Sequence, residues 1–283
     1  KSPRFIFTAN SFYFDDFFKI YAAKSKLKNS KLLTMQHGGN YGTTKFNYYQ
    51  DYQTSISDIF FSWGWSNDKK VKPLGYLNKS SSKFFYYSRK SKVLLVTMTL
   101  PRYSYTLYSI PIASQWLNYF ENQIQFTNHL NKIVRENLTI RLNQEDYMWE
   151  SKKRWEKISP DLEIDNGIIP IKKLILKTKI YVSTYNATTF LESLYLDIPT
   201  IIFWDKKYWE MNDLTYNLFE KLKAVKIFHE SPVSAANHLN NIFNNPEIWW
   251  CSFEVKSAVK EVKRHFCKKT KIKELVNGIR NHI

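Results

Sequence analysis

Short apolar runs alternate with polar segments at the start of the chain. Residues 4–8, 31–36 and 59–61 are apolar runs, and residues 12–27 carry apolar side chains at the spacing of one helix face. The order strand, helix, strand, loop, strand predicts a parallel α/β sheet. Three strands are too few to bury both faces of such a sheet. We therefore expect residues 1–80 to be the C-terminal half of a Rossmann-like domain whose earlier part lies outside this sequence.

The same pattern starts again after a linker. Residues 76–91 are rich in serine and lysine, as connecting segments are, and residues 92–97 form a new apolar run. Further strands are predicted at 138–142, 180–182 and 200–203, and helices around 112–135, near 170–177, at about 187–196 and on to the C-terminus. This series predicts a second Rossmann-like domain over residues 81–283.

Composition agrees with a folded protein. The chain has 283 residues, of which 43% are hydrophobic and 17% aromatic, and this is enough for two domains with cores of their own. No stretch approaches the roughly 18 uninterrupted apolar residues of a membrane-spanning helix, and no charged-then-apolar leader precedes a cleavage site. We therefore expect a cytoplasmic protein. Cys251 and Cys267 lack the spacing of a zinc site, so we expect reduced, packed thiols.

The formal net charge is +17, and basic surface favours phosphate binding. However, the lysines are scattered along the chain. The joint richness in Lys, Asn, Ile, Tyr and Phe is also what an AT-rich genome imposes on any protein. No RNA-binding strand motif, zinc-finger spacing or basic zipper region is present. We expect no nucleic-acid partner, and we favour an anionic substrate or an anionic phospholipid surface instead.

A glycine-rich stretch follows the second apolar run. The sequence TMQHGGNYG, residues 34–42, holds three of the seven glycines and the first of the six histidines. Open α/β sheets bind ligands at the carboxyl ends of their strands. There, neutral His37 can accept a proton from a hydroxyl or donate a hydrogen bond to a phosphate, while Gly38 and Gly39 let the backbone approach a ligand. The alternative is a loop histidine beside an ordinary turn.

A second polar cluster surrounds a predicted helix start in the second half. In the sequence IYVSTYNATTFLE the strand ends at Val182, and small hydroxyl residues flank the start of the next helix: Ser183, Thr184, Thr188 and Thr189. Free N–H groups and the helix dipole make such a start an anion site. Glu192, one turn further on, could reach a ribose hydroxyl of a bound nucleotide. The alternative is that one hydroxyl simply caps the helix.

Charged residues near other strand ends are further candidates. Arg141 ends a predicted strand and Arg102 follows the neighbouring one, and a guanidinium group suits a phosphate or a sugar carboxylate; a surface ion pair is the alternative for each. Asp15 and Asp16 follow the first strand. One of these carboxylates could act as a base or as a nucleophile, or both could stabilise a helix N-terminus.

Four motifs occur along the chain in a fixed order: QHGGNYG, SDIFFSWGW, IRLNQEDYMWESKKRW, and STYNATTFLE followed by DIPTIIFW. In this order they resemble a family of bacterial surface-carbohydrate transferases of the GT-B type. That family is related to the β-Kdo transferases and, more distantly, to the CDP-glycerol glycerophosphotransferases of teichoic-acid synthesis. The resemblance covers nearly the whole chain. It implies an α/β, GT-B-like fold in which two Rossmann-like domains face a cleft, the first domain being incomplete here.

The resemblance also implies partners and roles. The second domain would bind a nucleotide-sugar donor through Arg141 and the helix start, and the first would face a glycan or lipid-linked acceptor. His37 would be catalytic, with Asp16 as a second candidate. The remaining residues expected along the cleft loops are Asn10, Gly38, Gly39, Tyr41, Gly42 and Arg102. Neither a metal nor a cofactor is implied, since the nucleotide-sugar is a co-substrate.

The predicted function is therefore transfer of a sugar, with a CMP-Kdo-like donor as one candidate, to a surface polysaccharide or a lipid-linked glycan. Such acceptors would place the protein at the inner membrane face as a peripheral protein. Two alternatives stay open: a non-catalytic GT-B-like module that binds nucleotide or glycan, and a glycerophosphotransferase.

Overall fold

A computed structural model describes residues 2–76, 91–103 and 109–281 of the chain. The predicted domain boundary between residues 80 and 81, and nearly all of the predicted linker, lie outside the described residues.

The first domain contains a four-stranded parallel sheet, with the strands in sequence order. Its strands are β1 (Phe5–Thr8), β2 (Lys31–Met35), β3 (Ile59–Ser62) and β4 (Val71–Pro73). Its helices are α1 (Ser11–Phe14), α2 (Asp16–Lys26) and α3 (Tyr48–Ile56). The first three strands confirm the prediction. β4 was not predicted because it is short and lacks an apolar run.

The helix predicted over 12–27 is divided in two. Asp15 has an extended backbone (φ −102°, ψ 97°), which ends α1, and its carboxylate accepts a hydrogen bond from the Phe18 N–H group and so caps α2. Apolar periodicity alone could not reveal this break, because the residues on both sides keep the helical spacing.

The second domain contains a six-stranded parallel sheet in the order β10-β9-β8-β5-β6-β7. Its strands are β5 (Val93–Val96), β6 (Leu138–Arg141), β7 (Glu163–Asp165), β8 (Ile180–Ser183), β9 (Thr200–Phe203) and β10 (Phe228–His229). Every residue of the four central strands is buried, as a parallel sheet covered on both faces requires. The two edge strands were not predicted, since β7 is mostly polar and β10 has only two residues.

Helices cover both faces of the second sheet and continue to the C-terminus. They are α4 (Trp116–Asn128), α5 (Lys132–Glu136), α6 (Ser151–Ile158), α7 (Ile171–Ile175), α8 (Thr188–Tyr195), α9 (Asp213–Ala224), α10 (Pro232–Ile242), α11 (Pro246–Trp250), α12 (Phe253–Phe266) and α13 (Ile272–Arg280). A short 3₁₀ turn, Ala113–Gln115, leads into α4.

The C-terminal segment returns to the first domain. After α12, the Lys268 N–H group donates to the Trp63 carbonyl at 2.8 Å, and the Tyr76 N–H group donates to the Lys268 carbonyl at 2.7 Å. Gly64 has a φ of +149°, and a Cβ there would collide with the Arg264 carbonyl oxygen. One apolar core extends across both domains, and a small separate cluster in the first domain consists of Ile6, Ala22 and Leu32.

Candidate active site

A cavity of about 320 Å³ lies between the two domains. Three loops that follow parallel strands meet there: residues 38–40 after β2, residues 98–101 after β5 and residues 185–188 after β8. The cavity therefore sits at the carboxyl edges of both sheets, where open α/β folds bind ligands. Of the described residues that line it, none is charged.

His37 is not among the lining residues, but it directly precedes Gly38, which is one of them. Its Nδ1 lies 3.3 Å from the Tyr41 hydroxyl, and its ring makes edge contacts with Tyr41 and with Phe12. His37 is exposed, yet the surrounding protein excludes enough water from the ring to lower its pKa, while the Ala9 backbone opposes this shift. The imidazole is therefore mostly neutral near pH 7 and able to accept a proton.

The second glycine of the HGG sequence packs against the opposite domain. A Cβ on Gly39 would lie 2.6 Å from both the Cα and the N of Thr188, and the Gly39 N–H group donates to the Thr188 Oγ1 at 2.9 Å. Only glycine allows this approach. The histidine loop is thus joined directly to the start of α8.

The start of α8 forms the wall of the cavity that the His37 loop contacts. Its N-cap residue is Ala187, whose methyl side chain cannot accept a hydrogen bond from the N–H groups of the first turn. The preceding residue, Asn186, is 1% exposed and lines the cavity, and neither its side-chain oxygen nor its nitrogen has a partner among the described residues. A buried amide without partners is rare in folded proteins and calls for an explanation such as a missing ligand.

Residues 1–276 match the model of the LIC12162 family transferases. The protein belongs to this family. Similar solved structures include S. aureus MnaA with UDP, which has a TM-score of 0.54 at 10% identity over 99% of this chain and 76% of that one. The lipopolysaccharide outer core galactosyltransferase WaaB has a TM-score of 0.50 at 10% identity, over 100% of this chain and 76% of that one. A variant of the wall teichoic acid polymerase TagF has a TM-score of 0.50 at 12% identity, over 90% and 68%.

At these identities the structural likeness shows the fold alone, and it confirms the predicted GT-B-like architecture of two Rossmann-like domains. No curated protein matches this LIC12162 family transferase in sequence. The family makes the chain a transferase, and with the fold it supports glycosyl transfer as the reaction class.

The hydroxyl groups predicted to hold an anion are mostly engaged within the transferase itself. The Ser183 hydroxyl donates to the Tyr185 carbonyl, the Thr184 hydroxyl contacts Tyr119 at 2.6 Å, and the Thr189 hydroxyl donates to the Tyr185 hydroxyl at 2.9 Å. Of the four, only Thr188 lines the cavity. Three of the four predicted donor-binding hydroxyls therefore make hydrogen bonds within the protein, and their contact with a donor stays a prediction.

Glu192 also has a partner within the protein. Its side chain is buried and accepts a hydrogen bond from the Tyr76 hydroxyl at 2.8 Å. Burial is the main cause that raises the pKa of Tyr76, and the nearby Glu192 carboxylate raises it further. Glu192 thus joins the two domains through Tyr76 and is not among the described residues that line the cavity; its contact with a ribose stays a prediction.

Neither predicted arginine lines the cavity. Arg141, 9% exposed, forms an ion pair with Asp165 and donates to the Gly167 carbonyl at 2.7 Å. Arg102 lies over the Trp149 ring, with its guanidinium carbon 5.4 Å from the ring centroid. The structure therefore shows the ion-pair alternative for Arg141, though as a buried pair, and a stacking contact for Arg102.

The two aspartates occupy the start of α2. Asp15 caps the helix, and Asp16 pairs with Lys19 at 2.8 Å while its side chain stays 83% exposed. Lys19 has its pKa raised chiefly by this hydrogen bond. The geometry therefore matches the helix-stabilising alternative, and neither carboxylate is among the residues that line the cavity.

The other predicted cleft residues serve the loops near His37. Tyr41 is buried beside the histidine, and Asn10 donates its N–H group to the Thr8 hydroxyl. Gly42 has a φ of +73°, packs on Trp65, and accepts a hydrogen bond from the Asn212 side chain of the second domain at 2.7 Å. Sequence reasoning missed Asn186, although its position just before a helix start was a usable signal.

The described residues contain no group of three His, Cys, Asp or Glu side chains placed to hold a metal ion. Metal independence stays a prediction. None of the helices in this described part of the chain is both long enough and apolar enough to cross a membrane.

Proposed function

We propose that the protein transfers a sugar from a nucleotide-activated donor, bound at the start of α8, to a hydroxyl group of a glycan that enters from the His37 side. The observation that carries this proposal is the partnerless Asn186 amide in the cavity wall, beside the point where the His37 loop is hydrogen-bonded to the start of α8. A CMP-Kdo-like donor is one candidate. The acceptor would be a surface polysaccharide or a lipid-linked glycan.

The donor phosphate fits the start of α8 because N–H groups of the first helical turn are available there and the helix dipole favours an anion. Asn186 and Thr188 add side-chain hydrogen bonds. Since no described lining residue carries a positive charge, the leaving phosphate would be stabilised by oriented dipoles. Arg141 would support this site indirectly, because it holds Gly167, which packs against the backbone of the lining residue Asn143.

His37 would act as the general base. Its lowered pKa keeps it able to accept a proton near neutral pH, and Tyr41 fixes the ring. As the acceptor oxygen bonds to the anomeric carbon, His37 takes the hydroxyl proton, and the nucleotide phosphate leaves with the electrons of the broken bond. Asp16 has no part in this scheme.

Thermal-shift screening with CMP-, UDP- and GDP-linked sugars and with CDP-glycerol tests the donor site. We expect one sugar nucleotide to stabilise the wild type and to lose most of this effect in Asn186→Ala. A response to CDP-glycerol alone would instead favour a glycerophosphotransferase. No response to any donor would favour a non-catalytic module.

Transfer assays test the base. We expect His37→Ala to keep the fold and to lose at least about a hundredfold in rate, as removal of a general base does; full activity would exclude the role. Transfer should persist in EDTA if the reaction needs no metal.

The net charge of +17 would favour contact with an anionic membrane that carries lipid-linked acceptors. Flotation with vesicles containing anionic phospholipid tests this association, and no binding at physiological salt would count against it.

A further inference from the structure

We propose that six aromatic side chains of the first domain form a subsite that binds uncharged sugar rings of the acceptor glycan. This aromatic cluster consists of Phe12, Tyr13, Phe14, Tyr48, Tyr49 and Tyr52. The inference rests on the proposed function, and it adds the surface that holds the acceptor and the chemical class that this surface selects.

Two helices that flank the His37 loop build the cluster. α1 supplies Tyr13, whose ring centroid lies 4.5 Å from that of Tyr49 on α3. Tyr48 and Tyr52 are one turn apart on α3, and their rings are nearly parallel, with an interplanar angle of 8° and centroids 6.2 Å apart. The rings therefore form one connected surface and not isolated side chains.

Phe12 supports this surface from its buried side. It is 1% exposed, and its ring contacts Tyr13, Tyr52 and His37 with centroid distances of 6.0, 6.1 and 6.5 Å. One buried ring thus joins the aromatic cluster to the proposed base. A surface fixed in this way loses little conformational freedom when a ligand binds.

The outer rings of the cluster are open to solvent. Phe14 is 84% exposed and Tyr48 is 54% exposed, whereas aromatic rings that serve only folding are mostly buried. Tyr49 extends the surface into the cavity, because it is one of the lining residues. A contiguous exposed apolar patch that continues into a cleft marks a binding surface.

The chemistry of these rings suits a pyranose. A sugar ring presents a face of C–H groups and a rim of hydroxyls, and tyrosine offers an apolar face with a hydroxyl at its tip. The donor nucleotide would occupy the opposite wall, at Asn186 and α8, so the aromatic cluster remains for the acceptor. Its contact with His37 places a bound glycan near the group that would deprotonate it.

Saturation-transfer NMR and titration with a β-1,4-linked N-acetylglucosamine tetramer test this subsite without any donor present. The equatorial substituents of this probe leave flat C–H faces on its rings. We expect saturation to pass from tyrosine rings to the sugar C–H protons, and we expect binding to weaken at least fivefold in Tyr48→Ala and in Tyr52→Ala. Tyr48→Phe should bind within twofold of the wild type.

Tyr21→Ala is the matched control. Tyr21 lies in the same domain and is 50% exposed, a fraction similar to the 54% of Tyr48, but it is outside the aromatic cluster. Circular dichroism confirms that each variant is folded. Absence of saturation transfer to the tetramer, or equal weakening by Tyr21→Ala and Tyr48→Ala, would overturn the subsite.

The donor screen separates this proposal from the one on which it rests. A protein that binds the tetramer but no nucleotide donor keeps the subsite and loses the proposed function. A protein that binds a donor through Asn186 but not the tetramer keeps the donor site and loses the subsite.

Discussion

Replacing Gly39 by alanine tests whether the histidine loop and the start of α8 are held together as the structure shows. The added Cβ would lie 2.6 Å from the Thr188 Cα and N atoms and 2.7 Å from the Ala187 carbonyl carbon. These are backbone atoms, so no side-chain rotation relieves the clash. The loop and the helix must move apart, and the hydrogen bond from Gly39 to Thr188 is lost.

The cost follows from two contributions. Overpacking of a tight contact costs roughly 1–3 kcal/mol, and the lost hydrogen bond about 0.5–1.5 kcal/mol. We expect Gly39→Ala to lower the free energy of unfolding by about 2–4 kcal/mol, measured by urea denaturation. Donor binding should also weaken, because the displaced residues flank Asn186.

Gly38→Ala is the matched control. Its Cβ would lie 3.1 Å from the Asn40 Oδ1, at the end of a flexible side chain, and 3.8 Å from the Tyr41 ring. We expect a change in stability within about 0.5 kcal/mol. Equal effects of the two substitutions would refute the close approach of Gly39 to α8.

Three further predictions concern buried polar groups. Arg141→Met should lower the free energy of unfolding by about 3 kcal/mol in urea denaturation, because the partly buried Asp165 carboxylate loses its ion-pair partner and, among the described residues, keeps only the Gly167 N–H donor. A donor affinity that also falls more than tenfold in the folded variant would instead support direct contact between Arg141 and the donor phosphate. Tyr76→Phe should cost about 1–3 kcal/mol in urea denaturation, because the buried Glu192 carboxylate loses its donor; an unchanged free energy would contradict this. Burial lowers the pKa of His238 to about 3, so the unfolded chain binds a proton below about pH 6.5 that the folded chain does not; stability should fall by about 2 kcal/mol from pH 7.5 to pH 5. His238→Phe should flatten this pH dependence, and the same slope in both proteins would exclude His238 as its source.

Local sequence was enough to predict the central elements. Continuous apolar runs predicted β1 to β3 and the central strands of the second sheet. These central strands are buried throughout, and strands covered on both faces are apolar at nearly every position. The order of strands and helices then predicted parallel sheets, and hence a His37 loop and an α8 start at their carboxyl edges. The edge strands β7 and β10 carry no such signal, because an edge strand can be short or polar.

The roles of individual polar residues were beyond the reach of local sequence. Arg141, Glu192 and Thr184 have the right residue types at strand ends or helix starts, but in the fold they meet Asp165, Tyr76 and Tyr119. These partners lie 24, 116 and 65 positions away in sequence. Asn186 is the reverse case, a plain loop residue that burial leaves without any partner.

The sequence by itself thus determined the central strands, most of the helices and the edge of each sheet that carries polar loops, since these follow from short-range periodicity and turn chemistry. Only the tertiary structure decided which polar groups are already satisfied and which remain for a ligand. The local sequence around a hydrogen-bonding group does not identify the distant residue that becomes its partner. That choice is made when the two domains pack together, with Gly39 against Thr188 and Asn186 left facing the cavity.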